Sequence, residues 1–308
     1  LAVGDGSDFG VSVTYILQDE PLGLAHCVVV AREFLGDDDF VMYLGDNMLE
    51  QGLAGFVAQF EHARAAINAP QLGKAPGVAP VAQILLAEVD DPKSFGVAEL
   101  NDVDEVIRLV EKPSNPPSNL ALVGVYLFDK TIHGAIEAIE PSPRGELEIT
   151  DAIQQLIDDG HSVIHDVLSG WWIDTGKKDP LLECNRLVLE SLEQRIDGHV
   201  DVDSVIEGRV VIEAGASIIK STVRGPAVIG AGSIIDHSHL GPYSSVGRDC
   251  RITRSEIDNS VVLRRSRITD IPRLTDSLIG RDTEVERDPR RPRATRLMIG
   301  DHCHIGIE

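Results

Sequence analysis

The amino-acid sequence predicts two architectures in series: an α/β domain over residues 1–195 and a parallel β-helix over residues 196–308. Three observations predict this. Up to about Arg195, short apolar runs alternate with helix-spaced segments, the pattern of strands and helices taking turns around a largely parallel sheet. After Gly198 small or aliphatic residues recur at every sixth position, at Val210, Ala216, Thr222, Val228, Ile234, Leu240, Val246 and Ile252. Aliphatic-glycine steps punctuate that run at Ile229-Gly230, Leu240-Gly241, Val246-Gly247, Ile279-Gly280 and Ile299-Gly300. One face per hexapeptide makes a triangular coil, and each coil buries its inward residues only against its neighbours. Finally, 308 residues at 43% hydrophobic suffice for two cores.

The elements follow in order. Gly4-Asp5-Gly6-Ser7 reads as a plain turn, because a phosphate loop follows a strand and opens a helix, and a strand pattern comes after it instead. Residues 13–17 read as a strand, 23–34 as a helix and 40–44 as a strand. Phe56, Val57, Phe60 and Ala63 stripe a helix over 53–66. Residues 81–88 and 106–110 read as strands flanking a turn at Asn101-Asp102, 122–128 as another strand, and 151–158 as an amphipathic helix. Leu181, Leu182, Val188, Leu189 and Leu192 mark a connecting helix. The Pro- and Arg-rich residues 288–293 read as a loop extruded from one coil, and Arg287, Arg290, Arg291, Arg293 and Arg296 as a solvated insertion, with a polyanion site as the lesser alternative.

A formal charge of -22 argues against nucleic acid, whose phosphates demand a basic footprint. Anionic ligands must then be met by local cations or by a metal. Cys27, Cys184, Cys250 and Cys303 are scattered without a Cys-x-x-Cys pair, which argues against a zinc ribbon or a disulfide-stapled module and fits a reducing, cytoplasmic setting. No apolar stretch approaches the ~20 residues of a membrane helix.

The functional residues sit where elements end. Asp46 closes the apolar run Phe40-Val41-Met42-Tyr43-Leu44-Gly45, and Asp174 closes Trp171-Trp172-Ile173. Carboxylates at strand ends lie in the crevice where open α/β sheets bind ligands, and two of them can hold one Mg²⁺ against a phosphate chain. Gln18, between a strand and a helix, carries a donor and an acceptor able to pair with a pyrimidine edge, and Gly23 lets backbone approach a base. A polar loop with a proline turn fits the same residues. Gly96 within Ser94-Phe95-Gly96-Val97 marks either close approach to a ligand or a bulge. In Glu111-Lys112-Pro113, Glu111 can accept from sugar hydroxyls and Lys112 can meet a phosphate; an exposed Glu-Lys step is the plain alternative. Arg144-Gly145-Glu146-Leu147-Glu148-Ile149-Thr150-Asp151 reads as a helix start capped by Thr150, with Arg144 within reach of a phosphate.

Taken in order, these segments resemble the sugar-1-phosphate nucleotidyltransferases, most nearly the glucose-1-phosphate thymidylyltransferases in their long form. The resemblance implies a Rossmann-like nucleotidyltransferase domain followed by a left-handed parallel β-helix. It implies that a sugar-1-phosphate oxygen attacks the α-phosphate of dTTP, with pyrophosphate leaving and dTDP-glucose formed. In that reading Asp46 and Asp174 hold Mg²⁺, with Asp46 also beside the nucleotide. Gln18 and Gly23 read the base. Asn47, Gly96 and Glu111 hold the hexose, and Lys112 with Arg144 neutralises the sugar phosphate. The implied partners are the two small-molecule substrates and further copies of the chain, with neither nucleic acid nor membrane.

The family pattern opens with Gly-Gly-x-Gly-Thr-Arg, a segment these 308 residues do not contain; the match begins about 60 residues into the pattern, within the nucleotide half-domain. The expectation is an N-terminally incomplete domain of impaired activity, poorly folded where a central strand is missing. Three rival readings are a UTP-using uridylyltransferase, a non-catalytic regulatory homologue, and an acyltransferase with His237 or His239 as base.

Overall fold

A computed structural model describes residues 3–68, 78–175, 178–287 and 306. The extruded loop expected at 288–293, its arginines from Arg290 on, the Ile299-Gly300 step, Gly176 and Cys303 lie outside the described residues. The chain divides into two compact units, Leu1–Asp174 and Thr175–Glu308.

In the first unit α1 (Leu24–Val30) and α2 (Arg32–Leu35) lead to β1 (Phe40–Tyr43) and β2 (Asn47–Leu49). Next come α3 (Ala54–Asn68), β3 (Pro80–Glu88), β4 (Gly96–Leu100), β5 (Val106–Glu111) and β6 (Leu120–Phe128). The unit closes with α4 (Thr131–Ala138), α5 (Ile149–Asp158), β7 (Ser162–Val167) and β8 (Trp172–Asp174). The main sheet runs β5-β4-β6-β3-β7, with β1 also on β6. Side chains of β6 alternate between two cores. Leu122, Tyr126 and Phe128 join Ala25, Val28, Ile132, Ile136 and Ile153 of α1, α4 and α5. Val123, Val125 and Leu127 join Phe56 and Phe60 of α3. Burial on both faces is why β3 and β6 read as unbroken apolar runs.

Two expectations need correction. The sheet is mixed, not largely parallel: β6 is antiparallel to β1, β3 and β4, β4 is antiparallel to β5, and only β3 and β7 run parallel. Parallel neighbours need a crossover of a dozen or more residues, usually helical, and no α-helix separates β3 from β6. Nor do residues 13–17 form a strand. A strand needs a ladder partner as well as an apolar pattern. Here Val13 donates to the Asp5 carbonyl, the Tyr15 hydroxyl donates to the Gly4 carbonyl, and Tyr15, Ile16 and Leu17 are exposed. The turn at Gly4–Ser7 is present, with Asp5 Oδ1 accepting from Ser7.

The second unit opens with α6 (Lys178–Glu190) and continues as short parallel strands stacked into three sheets, a parallel β-helix. Val211, Val228 and Ser245 occupy one register column, as do Ile218, Ile235 and Ile252. The first coils are 17 residues, not 18: Ser221, Ser238 and Ser255 each donate their backbone N–H to the hydroxyl of the serine 17 residues earlier, and the coil from Ser255 to Ile271 is one shorter. A strict period of six therefore slips by one residue per coil. Thr222, Val228 and Ile234 fall outside the core, which their neighbours Val223, Ala227 and Ile235 fill. Coil corners take left-handed residues, such as Gly215, Gly232, Asp249, Arg265 and Asp282 along one edge.

Candidate active site

Three groups of polar residues lie beyond the end of β1, at the paired ends of β4 and β5, and ahead of α1. The first is built on the chain leaving β1. Leu44 donates to the Gly124 carbonyl, and Asn47 turns back so that its Oδ1 accepts from Gly124 N–H at 3.2 Å and from Trp172 Nε1 at 2.7 Å. Its Nδ2 donates to Asp46 Oδ1 at 2.9 Å. Gly124 is required there, since a Cβ would stand 2.7 Å from Asn47 Nδ2 and from Leu44 Cδ1. Antiparallel pairing of β2 with β8 then sets Asn47 directly opposite Asp174. Directly opposed residues have Cα atoms ~4.5–5.5 Å apart, and Asp46 is the residue just before Asn47, at the end of the ladder where Asp174 closes β8. Both aspartates are exposed while Asn47 is buried.

The second group lies at the end of β5. Glu111 faces Gly96 in register, and its Oε2 accepts from Thr150 Oγ1 at 2.7 Å. A Cβ on Gly96 would stand 2.8 Å from that Thr150 oxygen, so glycine keeps the pair in place. Thr150 does not cap α5, because it lies inside the helix, where Glu148 takes the N-cap position. Arg144 Nη2 pairs with Glu148 at 2.8 Å, Glu111 at 3.3 Å and Glu146 at 3.5 Å. The bond to Glu148 holds the Arg144 guanidinium above its ordinary range, and the nearby Glu146 and Glu111 add to this. Lys112 Nζ lies 3.7 Å from Glu111 Oε1, and its backbone is left-handed at φ 40°. Burial, then the Glu148 and Glu111 carboxylates, push Asp151 up. Glu111, Lys112, Arg144, Glu148 and Asp151 line one open pocket.

The third group is Gln18 and Gly23. Gln18 Nε2 lies within hydrogen-bond reach of the Gly23 carbonyl and His26 Nδ1, and its Oε1 accepts from Cys27 Sγ. Gly23, at φ 103°, is needed for another chain segment: a Cβ would overlap the backbone of Leu147, whose N–H donates to Leu22 and whose carbonyl accepts from Ala25. These contacts tie the groups together. The Phe95 and Trp172 rings pack at 5.2 Å, and Lys112 N–H donates to the Phe95 carbonyl, joining the first two. Leu147 adjoins Glu148 and joins the third. Asp46, Asp174 and Gln18 do not line the Glu111 pocket.

Sequence reasoning missed Trp172, Glu148 and Ser142 as site-builders. Glu148 is almost fully buried and takes hydrogen bonds from Arg144 and Ser142. A glutamate ahead of an amphipathic helix does not announce burial. Among the described residues no group of three or more His, Cys, Asp or Glu side chains is arranged as a metal cage. Two carboxylates alone suit Mg²⁺, which keeps waters and takes substrate phosphates as its other ligands.

The family profile described as nucleotidyl transferase matches residues 2–191. The glucose-1-phosphate thymidylyltransferase of Streptomyces antibioticus is 50% identical over 307 residues, covering 100% of this chain and 82% of that protein. The low-salt glycan biosynthesis nucleotidyltransferase of Haloferax volcanii is 43% identical over 308 residues, covering 99% and 82%. A solved Bacillus anthracis structure, assigned as a glucose-1-phosphate thymidylyltransferase and holding sucrose, aligns with a TM-score of 0.51 at 35% identity, over 60% of this chain and 68% of that one. With the profile spanning well over half its length, the chain belongs to the nucleotidyl transferase family.

Proposed function

We propose that this chain transfers a deoxythymidylyl group from dTTP to glucose-1-phosphate, in the manner named for its Streptomyces relatives. The observation that supports the reading is the β2–β8 register, which sets Asn47, the neighbour of Asp46, opposite Asp174. A sugar-phosphate oxygen forms a bond to the α-phosphorus, and the bond from that phosphorus to the bridging oxygen breaks, releasing pyrophosphate. Such transfers depend on positioning and charge neutralisation more than on covalent help.

Asp46, steadied by Asn47, and Asp174 would hold Mg²⁺, which when bound neutralises the triphosphate charge. Glu111, fixed by Thr150 and Arg144, would accept from hexose hydroxyls beside Gly96. Lys112 meets the sugar phosphate, and Arg144 adds positive charge while orienting Glu111. Gln18 and the Gly23 backbone would read the pyrimidine; UTP is the second candidate, since one methyl group separates the bases by only ~1–3 kcal/mol. No helix is long and apolar enough to cross a membrane among the described residues.

The test supplies Mg²⁺, dTTP and glucose-1-phosphate to the 308-residue chain and follows pyrophosphate release. Formation of dTDP-glucose is expected. Asp174→Asn is expected to remove it by ~100-fold or more. Faster turnover of UTP would change the nucleotide. Absence of product together with absence of glucose-1-phosphate binding would overturn the reading.

A further inference from the structure

One edge of the β-helix carries a charge pattern that the acidity of the chain makes unexpected. Along this edge the left-handed corner residues are Gly215, Gly232, Asp249, Arg265 and Asp282. The residue before each is Ala214, Ala231, Arg248, Arg264 and Arg281. The column switches from alanine to arginine for three successive coils. Stacked strands lie ~4.8 Å apart, so these three arginines root one coil above the next, a like-charge arrangement that disfavours folding unless something relieves it.

Among the described residues Asp282 attracts Arg264 and Arg281 but forms an ion pair with neither. Arg265, between Asp249 and Asp282, makes a bidentate pair with Asp282 at 2.6 and 2.7 Å, so those charges largely answer one another. Among the described residues no ion pair reaches Arg248, Arg264 or Arg281. Arg264 Nε is buried without a hydrogen-bond partner. The guanidinium of Arg281, then burial and the charges of Arg265 and Arg248, hold Arg264 below its ordinary range. Arg248 and Arg281 are exposed, and Arg251 and Arg267 continue the positive charge onto the next face, directly paired in register.

We infer that the Arg248–Arg264–Arg281 column binds a polyphosphate anion, the class of pyrophosphate and the phosphate tails of nucleotides. A guanidinium fork matches phosphate oxygens bidentately. A straight row of forks at coil spacing suits a short linear chain of phosphoryl groups bridging adjacent coils. A nucleic acid would extend beyond the row into a chain whose net charge is -22. The site lies wholly within the second unit and does not rest on the proposed activity.

Calorimetric titration of the full chain with sodium pyrophosphate at low salt tests it. Both tryptophans, Trp171 and Trp172, lie in the first unit, so their fluorescence reports pyrophosphate bound there separately. The wild-type chain is expected to show a calorimetric site silent in tryptophan fluorescence. Arg264→Gln with Arg281→Gln should weaken that site at least tenfold, while Arg224→Gln, which removes a paired arginine at another corner, leaves it unchanged. Arg264→Lys with Arg281→Lys guards against misfolding: it keeps the charge, loses the fork, and should bind between the two. Equal affinity in the glutamine variant and the wild type, or binding seen only through the tryptophans, overturns the inference.

Discussion

The β-helix and the α/β unit satisfy buried polar groups in opposite ways. In the β-helix each device is repeated. Ser204, Ser221, Ser238 and Ser255 form a ladder in which every hydroxyl accepts the backbone N–H of the residue one coil on. Arg224–Glu207, Arg254–Asp270 and Arg265–Asp282 pair coil to coil in the same manner. In the α/β unit one residue does a job with no copy: Asn47 holds Gly124, Trp172 and Asp46 at once. The repeated plan spreads the consequence of a change over neighbouring coils, as expected when each coil meets only its neighbours. The single hub concentrates it where chemistry is proposed.

The sharpest way to break this contrast is Asn47→Leu. It leaves the Trp172 Nε1–H and the Gly124 N–H without their acceptor, at ~1–3 kcal/mol each. It also frees Asp46 from its neighbour. Urea unfolding of the α/β transition is expected to lose about 2–6 kcal/mol, with turnover falling in step. Should the loss be no greater than that of a serine-ladder variant, the hub is ordinary.

Gly23→Ala comes next. The alanine must adopt a left-handed φ and push against the Leu147 backbone, which also carries the two hydrogen bonds joining 22–25 to 142–148. The expected cost is about 1–3 kcal/mol. If Gly23 serves the base alone, stability stays level and only the Michaelis constant for the nucleotide rises.

Neither effect was fully legible in the sequence, and the reason differs at each residue. Asp46 and Asp174 could be singled out because each closes an apolar run, a local signal. Asn47, expected as a hexose contact, is instead a buried structural hub, a role that could not be read because its partner Trp172 is 125 residues away. Residues 13–17 carry a strand pattern, yet pattern cannot supply the neighbour a strand needs. The six-residue period identified the β-helix but misplaced Thr222, Val228 and Ile234, because a 17-residue coil drops one residue per turn and only the register reveals it. Thr150 has the residue type of a cap, while its hydroxyl is claimed by Glu111 across the sheet edge.

In the β-helix, Ser238→Ala removes the acceptor for the Ser255 N–H and the hydroxyl that donates to the Asp236 carbonyl. A loss of about 1–2 kcal/mol is expected, confined to the β-helix transition. Equal losses from Ser221→Ala and Ser238→Ala would sharpen the picture of interchangeable coils.

The smallest effect separates the two regions by the sign of their pH dependence. Asp282 is held below its ordinary value of 3.8 by its hydrogen bond to Arg265, so its contribution to stability is present above that value and is lost as pH falls through the lowered one. Asp151 is the reverse. Burial, then Glu148 and Glu111, raise it above 3.8, so the unfolded chain ionises first and stability falls as pH climbs from 3.8 through the raised value. Asp151→Asn should therefore melt slightly above the wild type at neutral pH, the difference vanishing below about pH 3.8. Asp282→Asn should melt slightly below it at neutral pH, that difference also closing in acid. Thermal melts of both variants across this range decide the matter, and differences of the same sign would mean that the carboxylates of the α/β site are paired as fully as those on the β-helix.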